Sequence, residues 1–226
     1  MDAGGQGPAA SRTVRILLAD DHEIVRQGVR ALLEAEGGFR VVGEAATGRE
    51  AVAEARRLRP DVAVVDVSMP ELNGLEATRR IRKVLPECEV LVFTIHDSEH
   101  VLREALAAGA RGFVLKSDAA RMLLTAVAAL GQRKAFFASP AADLLLAGYL
   151  ERDGDRRGSA ARLLTSRQRE VLQLLAEGKT NKDVAHLLGI TVKTAEAHRT
   201  SVMSKLGLHS VGDLIRYAIR EKLVEA

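Results

Sequence analysis

The sequence predicts an α/β domain with a five-stranded, doubly wound parallel sheet, followed by a small all-α domain of four helices. Two observations support this prediction. Between residues 14 and 131, short β-branched runs alternate with amphipathic helical segments, and the runs are apolar on both faces. Such runs are typical of parallel strands covered by helices on both sides. After residue 162 the apolar spacing is helical throughout, which indicates a separate helical domain.

Five segments have the composition of buried strands. They are VRILLA (14–19), VVGEA (41–45), VAVV (62–65), EVLVFT (89–94) and GFVLK (112–116). The segments between them have helical spacing: Ala51, Val52, Ala55 and Leu58 lie on one face of a helix.

Composition divides the chain into four parts. Residues 1–12 contain no apolar run of the kind found in signal peptides, and we expect a flexible tail there. We assign residues 13–131 to the α/β domain, 132–161 to a helical segment and a charged, glycine-containing linker, and 162–226 to the all-α domain.

The four helices of the all-α domain are predicted from their end signals. A hydroxyl residue precedes each helix, and in three cases a polar residue three positions later completes a capping pattern. These signals are Thr165 with Gln168, Thr180 with Asp183, Ser210 with Asp213, and Thr191 alone. Glycines at 178, 189 and 207 are expected to end three of the helices.

The formal net charge of +3 is unevenly distributed. Residues 162–226 carry eleven Lys and Arg against seven Asp and Glu, whereas the preceding residues carry 22 against 23. A basic domain indicates an anionic partner, most often nucleic acid, although a merely solvated surface gives the same count. Aromatic residues make up only 3% and Trp is absent, so few side chains could stack on single-stranded bases.

The remaining composition excludes several classes of protein. Cys88 is the only cysteine, which excludes an intrachain disulfide and a cysteine-rich metal site and fits a reducing cytoplasm. No apolar run approaches the roughly 20 residues that cross a bilayer, so we expect a soluble, cytoplasmic protein without a membrane partner.

Polar residues follow four of the predicted strands. Asp20 and Asp21 end the first, Asp66 the third, Thr94 the fourth and Lys116 the fifth. Because the carboxyl ends of parallel strands open on one edge, these groups are expected to converge where the strand order reverses. Clustered carboxylates bind Mg²⁺, and the ion offsets the charge of a phosphoryl group arriving at an aspartate nucleophile.

The strand-end motifs resemble the receiver domain of bacterial two-component systems, a flavodoxin-like fold. The resemblance covers LLADDH (17–22), DVSMP (66–70), VLVFT (90–94) and GFVLK (112–116), in this order. It implies that Asp66 is the phosphoacceptor. It also implies that Mg²⁺ is bound by Asp20, Asp21, Asp66 and the backbone carbonyl of Ser68.

The same resemblance implies roles for residues around the phosphate. Thr94 would be the switch hydroxyl, Phe113 the aromatic side chain that follows it, and Lys116 the phosphate partner. Ser68 and His96 lie two residues beyond Asp66 and Thr94, at positions that in this family influence the lifetime of the phosphate.

Residues 164–210 resemble the helix-turn-helix of LuxR/NarL-type regulators. We predict a recognition helix from Val192 to Leu206, with Val192, Ala195, Val202 and Leu206 facing inward. Such a helix enters the major groove of DNA. The expected DNA-binding residues are Lys179, Asn181, Lys182, Lys193, Thr194, Glu196, Ala197, Arg199, Thr200 and Lys205. Ala195 and Ala197 are smaller than the Val and Asn expected from the family.

Together these resemblances imply a response regulator, not a metabolic enzyme. A sensor histidine kinase or a small phosphodonor would phosphorylate Asp66 with Mg²⁺ present. Phosphorylation would then free or pair the DNA-binding domains, so that a homodimer binds promoter DNA and acts on RNA polymerase. The apolar face of the last helix, residues 210–222, could contribute to the dimer or to the core of the domain.

Two alternatives remain open at this point. One is an aspartyl-phosphate phosphohydrolase, although such enzymes usually carry a second acid where this chain has Ser68. The other is a DNA-binding protein that does not depend on phosphorylation and whose receiver is vestigial.

Overall fold

The computed structural model describes residues 13–138, 164–221 and 223–224. The flexible tail predicted for residues 1–12 and most of the predicted segment 132–161 lie outside these ranges. Within the described ranges, no helix combines the length and apolar character needed to cross a membrane.

The N-terminal domain alternates strands and helices along the chain. Its elements are β1 (Val14–Ala19), α1 (Glu23–Ala35), β2 (Phe39–Ala45), α2 (Gly48–Leu58), β3 (Val62–Val65), α3 (Gly74–Val84), β4 (Glu89–Thr94), α4 (Glu99–Ala108), β5 (Gly112–Leu115), a 3-10 turn (Lys116–Asp118), α5 (Ala119–Gly131) and β6 (Phe136–Phe137). The strands pair in the order β2-β1-β3-β4-β5-β6, and every pair is parallel. The predicted doubly wound parallel sheet is therefore confirmed.

Among the described residues, the sheet contains six strands, not the five predicted. β6 pairs with β5 through Gly112 opposite Phe136 and Phe113 opposite Phe137. It lies in the segment that the sequence assigned to a helix and a linker. A strand of two residues is too short to show a period of two, and it forms here because the edge of β5 supplies its hydrogen-bond partners.

Both faces of the sheet are buried. Successive strand residues point to opposite faces, so Leu17 packs beneath α2 and α3 while Ile16 and Leu18 pack beneath α1 and α5. Leu33 and Leu123 complete the second layer and are fully buried. The helices on both faces of the sheet do not cover its carboxyl edge.

The described part of the C-terminal domain contains four helices, as predicted: α6 (Ser166–Ala176), α7 (Asn181–Leu188), α8 (Val192–Leu206) and α9 (Val211–Arg220). The capping boxes at Thr165 and Thr180 form, and Thr191 and Ser210 cap the last two helices. One shared core, which includes Leu172, joins the four helices.

One detail of this domain differs from the sequence prediction, and a second bears on the role of the last helix, which the prediction left open. Val192 was expected to face inward but is 39% exposed, because it begins α8; Ala195 and Val202 are buried in the core, and Leu206 packs against it while partly buried. In α9, Leu214 is buried whereas Ile219 is 37% exposed, so this helix contributes to the core and also presents an apolar edge to solvent.

Candidate functional site

An acidic site lies at the carboxyl edge of the sheet. The Lys116 ammonium is 2.9 Å from Asp66 Oδ2 and 2.7 Å from Asp20 Oδ2. The two carboxylates are almost fully buried, with 5% of Asp20 and 3% of Asp66 exposed. Three strand ends therefore bring two acids and one base into direct contact.

Backbone hydrogen bonds fix the positions of the two acids. The Asp20 amide donates to Ala45 O on β2, and the Asp66 amide donates to Ala19 O on β1. After Asp66 the chain turns tightly into α3. A Cβ on Gly74 would lie 1.7 Å from Asp66 O, so only glycine allows this approach.

Burial controls the electrostatics of this site. Loss of solvent raises the pKa of Asp66, and the nearby Lys116 ammonium only partly offsets this effect. Burial alone would lower the pKa of Lys116, but the carboxylates of Asp66 and Asp20 outweigh it and raise that pKa. The Lys116 ammonium therefore stays charged between Asp66 and Asp20. It is one positive charge beside these two carboxylates, or three when Asp21 is counted.

The third acid, Asp21, lies at the exposed rim of the site. Its Oδ1 is 2.8 Å from His22 Nδ1, which is also 3.5 Å from Asp20 Oδ1. One ligand atom from each of Asp20, Asp21 and His22 fits within 4.8 Å. The carboxylates are the oxygen ligands that Mg²⁺ prefers, so the donor set fits the ion. His22 was not predicted from the sequence as part of this site, although it directly follows the two acids in LLADDH.

The other residues assigned by resemblance surround the acids. Thr94 is completely buried, and its hydroxyl accepts a 3.3 Å hydrogen bond from the His96 amide. Ser68 Oγ lies 2.6 Å from His96 Nε2, so these two side chains form a pair at the mouth of the site. Phe113 is 2% exposed and packs with Val101 in an apolar cluster beneath α4.

The C-terminal domain packs against the edge that carries the acidic site. The amide oxygen of Gln173 in α6 accepts from Asn73 N at 2.7 Å, and its nitrogen donates to Met69 O at 2.9 Å. Glu177 Oε1 accepts from Glu71 N at 3.0 Å. The loop after Asp66 is thus held by the first helix of the other domain, a contact that no local pattern in the sequence indicates.

Buried ion pairs extend this contact between the domains. Glu170 in α6 is 2% exposed and pairs with Arg49 at 3.3 Å and with Arg80. The C-terminal domain also supplies a base to this contact: Arg169 Nε in α6 lies 3.2 Å from the carboxylate of Glu76 in α3. Each domain therefore supplies both acids and bases to the contact.

The face of α8 that carries the predicted DNA-binding residues is open in this arrangement. Lys193, Glu196, Ala197 and Thr200 are exposed, as is Lys182 in α7. The N-terminal domain contacts α6, and these residues of the predicted recognition helix are exposed to solvent.

The remaining predicted DNA-binding residues have varied surroundings. Lys179 and Thr194 are exposed, whereas Arg199 and Asn181 are half-buried. Lys205 is exposed, but its ammonium donates to Gln168 Oε1 at 2.8 Å and so points toward α6.

Fold and site together define a class of protein: an acidic α/β domain whose carboxyl edge holds a buried aspartate beside a lysine, joined to a helix-turn-helix domain. Residues 16–128 match the family model of the response regulator receiver domain, and residues 162–218 match that of the bacterial regulatory proteins of the luxR family.

Known proteins and solved structures are similar to this chain over most of its length or over about three fifths of it. The oxygen regulatory protein NreC of Staphylococcus epidermidis is 36% identical over 94% of this chain and 100% of its own length. A LuxR-family two-component response regulator from Aurantimonas sp. is 37% identical, with a TM-score of 0.57 over 61% of this chain and 99% of its own. RcsB from Salmonella enterica serovar Typhimurium, solved on promoter rprA with the phosphomimetic BeF3⁻, is 28% identical, with a TM-score of 0.59 over 91% and 98%.

The chain belongs to the response regulators that combine a receiver domain with a LuxR-type DNA-binding domain. This family regulates transcription and is not one of metabolic enzymes, which removes the phosphohydrolase alternative.

Proposed function

We propose that Asp66 accepts a phosphoryl group and that its phosphorylation controls promoter binding by the C-terminal domain. The observation that carries this proposal is the position of Lys116, which lies between the buried carboxylates of Asp66 and Asp20. We keep residues 13–131 as the receiver and 162–226 as the DNA-binding domain, with 132–161 between them.

The chemistry is a transfer to a carboxylate oxygen of Asp66. The bond from phosphorus to the donor atom breaks, either in a phosphohistidine of a sensor histidine kinase or in a small acyl phosphate, and the donor keeps the electron pair. Mg²⁺ bound by Asp20, Asp21, Asp66 and the Ser68 carbonyl would supply charge neutralisation. Lys116 donates to a phosphoryl oxygen once the group is attached, and its contact with Asp66 changes accordingly.

Residues around the site convert phosphorylation into a conformational change. Phosphate adds about two negative charges and three acceptor oxygens. Thr94 turns its hydroxyl toward one of them, Phe113 repacks beneath α4, and the Ser68–His96 pair sets how quickly water reaches the phosphate. A coupling of about 1–3 kcal/mol is enough for an allosteric switch of this kind.

At the DNA, Glu196, Ala197 and Thr200 contact base edges. A glutamate accepts from cytosine N4, and the methyl groups of Ala and Thr touch thymine. The phosphate backbone is met by Lys179, Asn181, Lys182, Lys193, Thr194, Arg199 and Lys205. Lys205 gives up its hydrogen bond to Gln168 when it contacts the phosphate backbone.

The partners follow from this mechanism and from the relatives. RcsB has been solved as two dimers on two DNAs, and by analogy two copies of this chain bind half-sites about one DNA turn apart. We further propose that the protein acts in the cytoplasm, with a sensor histidine kinase upstream and RNA polymerase downstream.

The test is phosphorylation of the full chain by acetyl phosphate and Mg²⁺, followed by intact mass and by promoter binding. We expect one phosphoryl group per chain, lost slowly, and tighter DNA binding. Asp66→Asn should take up none, whereas the control Asp118→Asn should behave as the wild type. Promoter affinity that is the same with and without the phosphodonor would contradict the proposal and favour a vestigial receiver.

A further inference from the structure

Arg26 lies in the first turn of α1 and connects this helix to the residue that follows β1. Its Nη1 donates a 2.7 Å hydrogen bond to the backbone carbonyl oxygen of Asp20. The side chain of Arg26 is 14% exposed, so this bond is largely shielded from solvent. His22 occupies the N-cap position of α1, but its side chain makes no capping hydrogen bond. Arg26 therefore ties the start of α1 to the strand end that carries the acids.

Glu44 on β2 holds the Arg26 guanidinium from the neighbouring strand. Its Oε2 accepts from Arg26 Nε at 3.1 Å, and its Oε1 accepts from Arg30 Nε at 2.7 Å. Burial alone would raise the pKa of Glu44, but the two arginines outweigh it and lower that pKa, so the carboxylate is ionised at neutral pH. A guanidinium can fix two acceptors at once because its donors form a rigid fork. The Arg26 side chain is thus held between a carboxylate on β2 and the carbonyl of Asp20.

Asp20 is held at its backbone amide, its backbone carbonyl and its side chain. The amide donates to Ala45 O at 3.1 Å, the carbonyl accepts from Arg26, and Oδ1 accepts from the His22 amide at 2.9 Å. The carbonyl of Asp20 belongs to the peptide bond that leads into Asp21. Because a peptide bond is planar, a fixed carbonyl also fixes the direction in which the chain enters Asp21. Arg26 therefore acts on the backbone of both acids proposed as metal ligands.

We propose that Arg26 is a positioning residue for the metal site and that Glu44 orients it. Arg26 acts through the peptide bond between Asp20 and Asp21, which it fixes so that the two carboxylates converge. Residues that orient metal ligands in this way typically contribute about ten- to a hundredfold to metal affinity. This inference rests on the metal ligands named in the proposed function and adds the residues that orient them.

Charge and position predict opposite effects when the Arg26 guanidinium is removed. A cation close to the site repels a divalent ion, so the loss of its charge would by itself tighten metal binding. The loss of a positioning residue weakens metal binding instead. The sign of the change therefore separates the two effects.

The experiment measures Mn²⁺ binding to the full chain from the electron paramagnetic resonance signal of the free ion, with the Mg²⁺ affinity obtained by competition. Mn²⁺ takes the same kind of oxygen ligands as Mg²⁺. We expect Arg26→Met to weaken the binding of both ions about tenfold or more. Glu44→Gln should weaken binding in the same direction but by less. It is nearly isosteric, so it tests the same link with the packing retained.

Arg30→Met is the matched control. Arg30 lies one turn further along α1 and pairs with the same Glu44 carboxylate, but its hydrogen bonds go to Glu44 and Glu34 and not to Asp20. The variant removes the same charge, so metal affinity should stay unchanged or rise slightly. Equal weakening by Arg30→Met, or tighter binding in Arg26→Met, would overturn the proposal.

Phosphorylation by acetyl phosphate gives a second readout. In Arg26→Met, the Mg²⁺ concentration that gives the half-maximal rate should rise about tenfold. The rate at saturating Mg²⁺ should change far less, because Lys116 keeps its contact with Asp66. A lower saturating rate with an unchanged Mg²⁺ requirement would indicate a general loosening of the domain and contradict the inference. A wild-type chain that binds Mn²⁺ but takes up no phosphate would instead contradict the function proposed for Asp66.

Discussion

Lys116 Nζ lies 2.9 Å from Asp66 Oδ2 and links this buried carboxylate to the neighbouring Asp20. The two side chains lie at the centre of the proposed phosphorylation site, and Lys116 is also the main favourable partner of the buried Asp66 carboxylate. Its removal therefore affects stability as well as chemistry.

We expect Lys116→Met to lower the free energy of unfolding by about 3 kcal/mol at pH 7, because removing one partner of a buried pair leaves uncompensated charge. The pKa of Asp66 is already raised by burial, and it would rise further without the ammonium. The ionised acid is the unstable form, so the loss should shrink as pH falls and the acid takes up a proton.

Urea denaturation at pH 7 and pH 5 measures this effect, with the double variant Asp66→Asn/Lys116→Met as the control. The double variant should lose less stability than Lys116→Met alone, because one of the two charges has been removed. A loss of equal size at both pH values would show that packing, not charge, is responsible.

The turn after Asp66 gives a second prediction. A Cβ at Gly74 would lie 1.7 Å from the Asp66 carbonyl oxygen, so Gly74→Ala must displace the backbone of the phosphoacceptor itself. We expect a loss of about 2–3 kcal/mol, typical of overpacking, and slower uptake of phosphate.

Gly28 is the matched control for this substitution. It lies within α1 and an added Cβ would meet nothing within 4 Å, so Gly28→Ala should raise stability by about 0.5–1 kcal/mol through helix propensity. Thermal unfolding of the two variants compares them directly. Equal stability of Gly74→Ala and the wild type would mean that the turn is looser than the structure indicates.

Cys88 gives a third prediction, on reactivity. Burial raises the pKa of its thiol to about 12, and the side chain has no exposed surface. Because the thiolate is the reactive form, its fraction at pH 8 is on the order of 10³ lower than for a free cysteine. Alkylation by iodoacetamide should be very slow in the native protein and rapid in 6 M urea, as followed by mass spectrometry. Rapid native labelling would contradict the closed packing around β4.

The salt dependence of DNA binding gives a fourth prediction. Each lysine that neutralises a phosphate releases counterions, so Lys193→Ala should reduce the slope of log affinity against log salt concentration by about 1. Lys83 is exposed on α3 of the receiver, and Lys83→Ala should leave the slope unchanged. Fluorescence anisotropy with promoter DNA at four salt concentrations gives the slopes. A slope in Lys193→Ala equal to that of the wild type would remove this residue from the phosphate contacts.

Local patterns were enough to predict most of the fold. Strands β1, β3 and β4 begin and end where the sequence predicts, because runs such as VAVV are apolar on both faces and are bounded by polar residues. β6 was not predicted, because a strand of two residues is too short to show the alternation of side chains that identifies a strand. Val192 was predicted to face the core because its helical spacing matches that of the buried residues. Spacing does not show that the first turn of α8 extends beyond the core, where Val192 is exposed.

The sequence by itself determined the order of strands and helices, the caps of the C-terminal helices and the alignment of acids and lysine at strand ends. Each of these depends on residues close together in the chain, whose propensities and hydrogen bonds act locally. The tertiary structure alone decided that Gln173 and Glu177 hold the loop beyond Asp66, about 100 residues away. Such a contact depends on how two separately folded surfaces complement each other, and no spacing along the chain encodes that shape or charge.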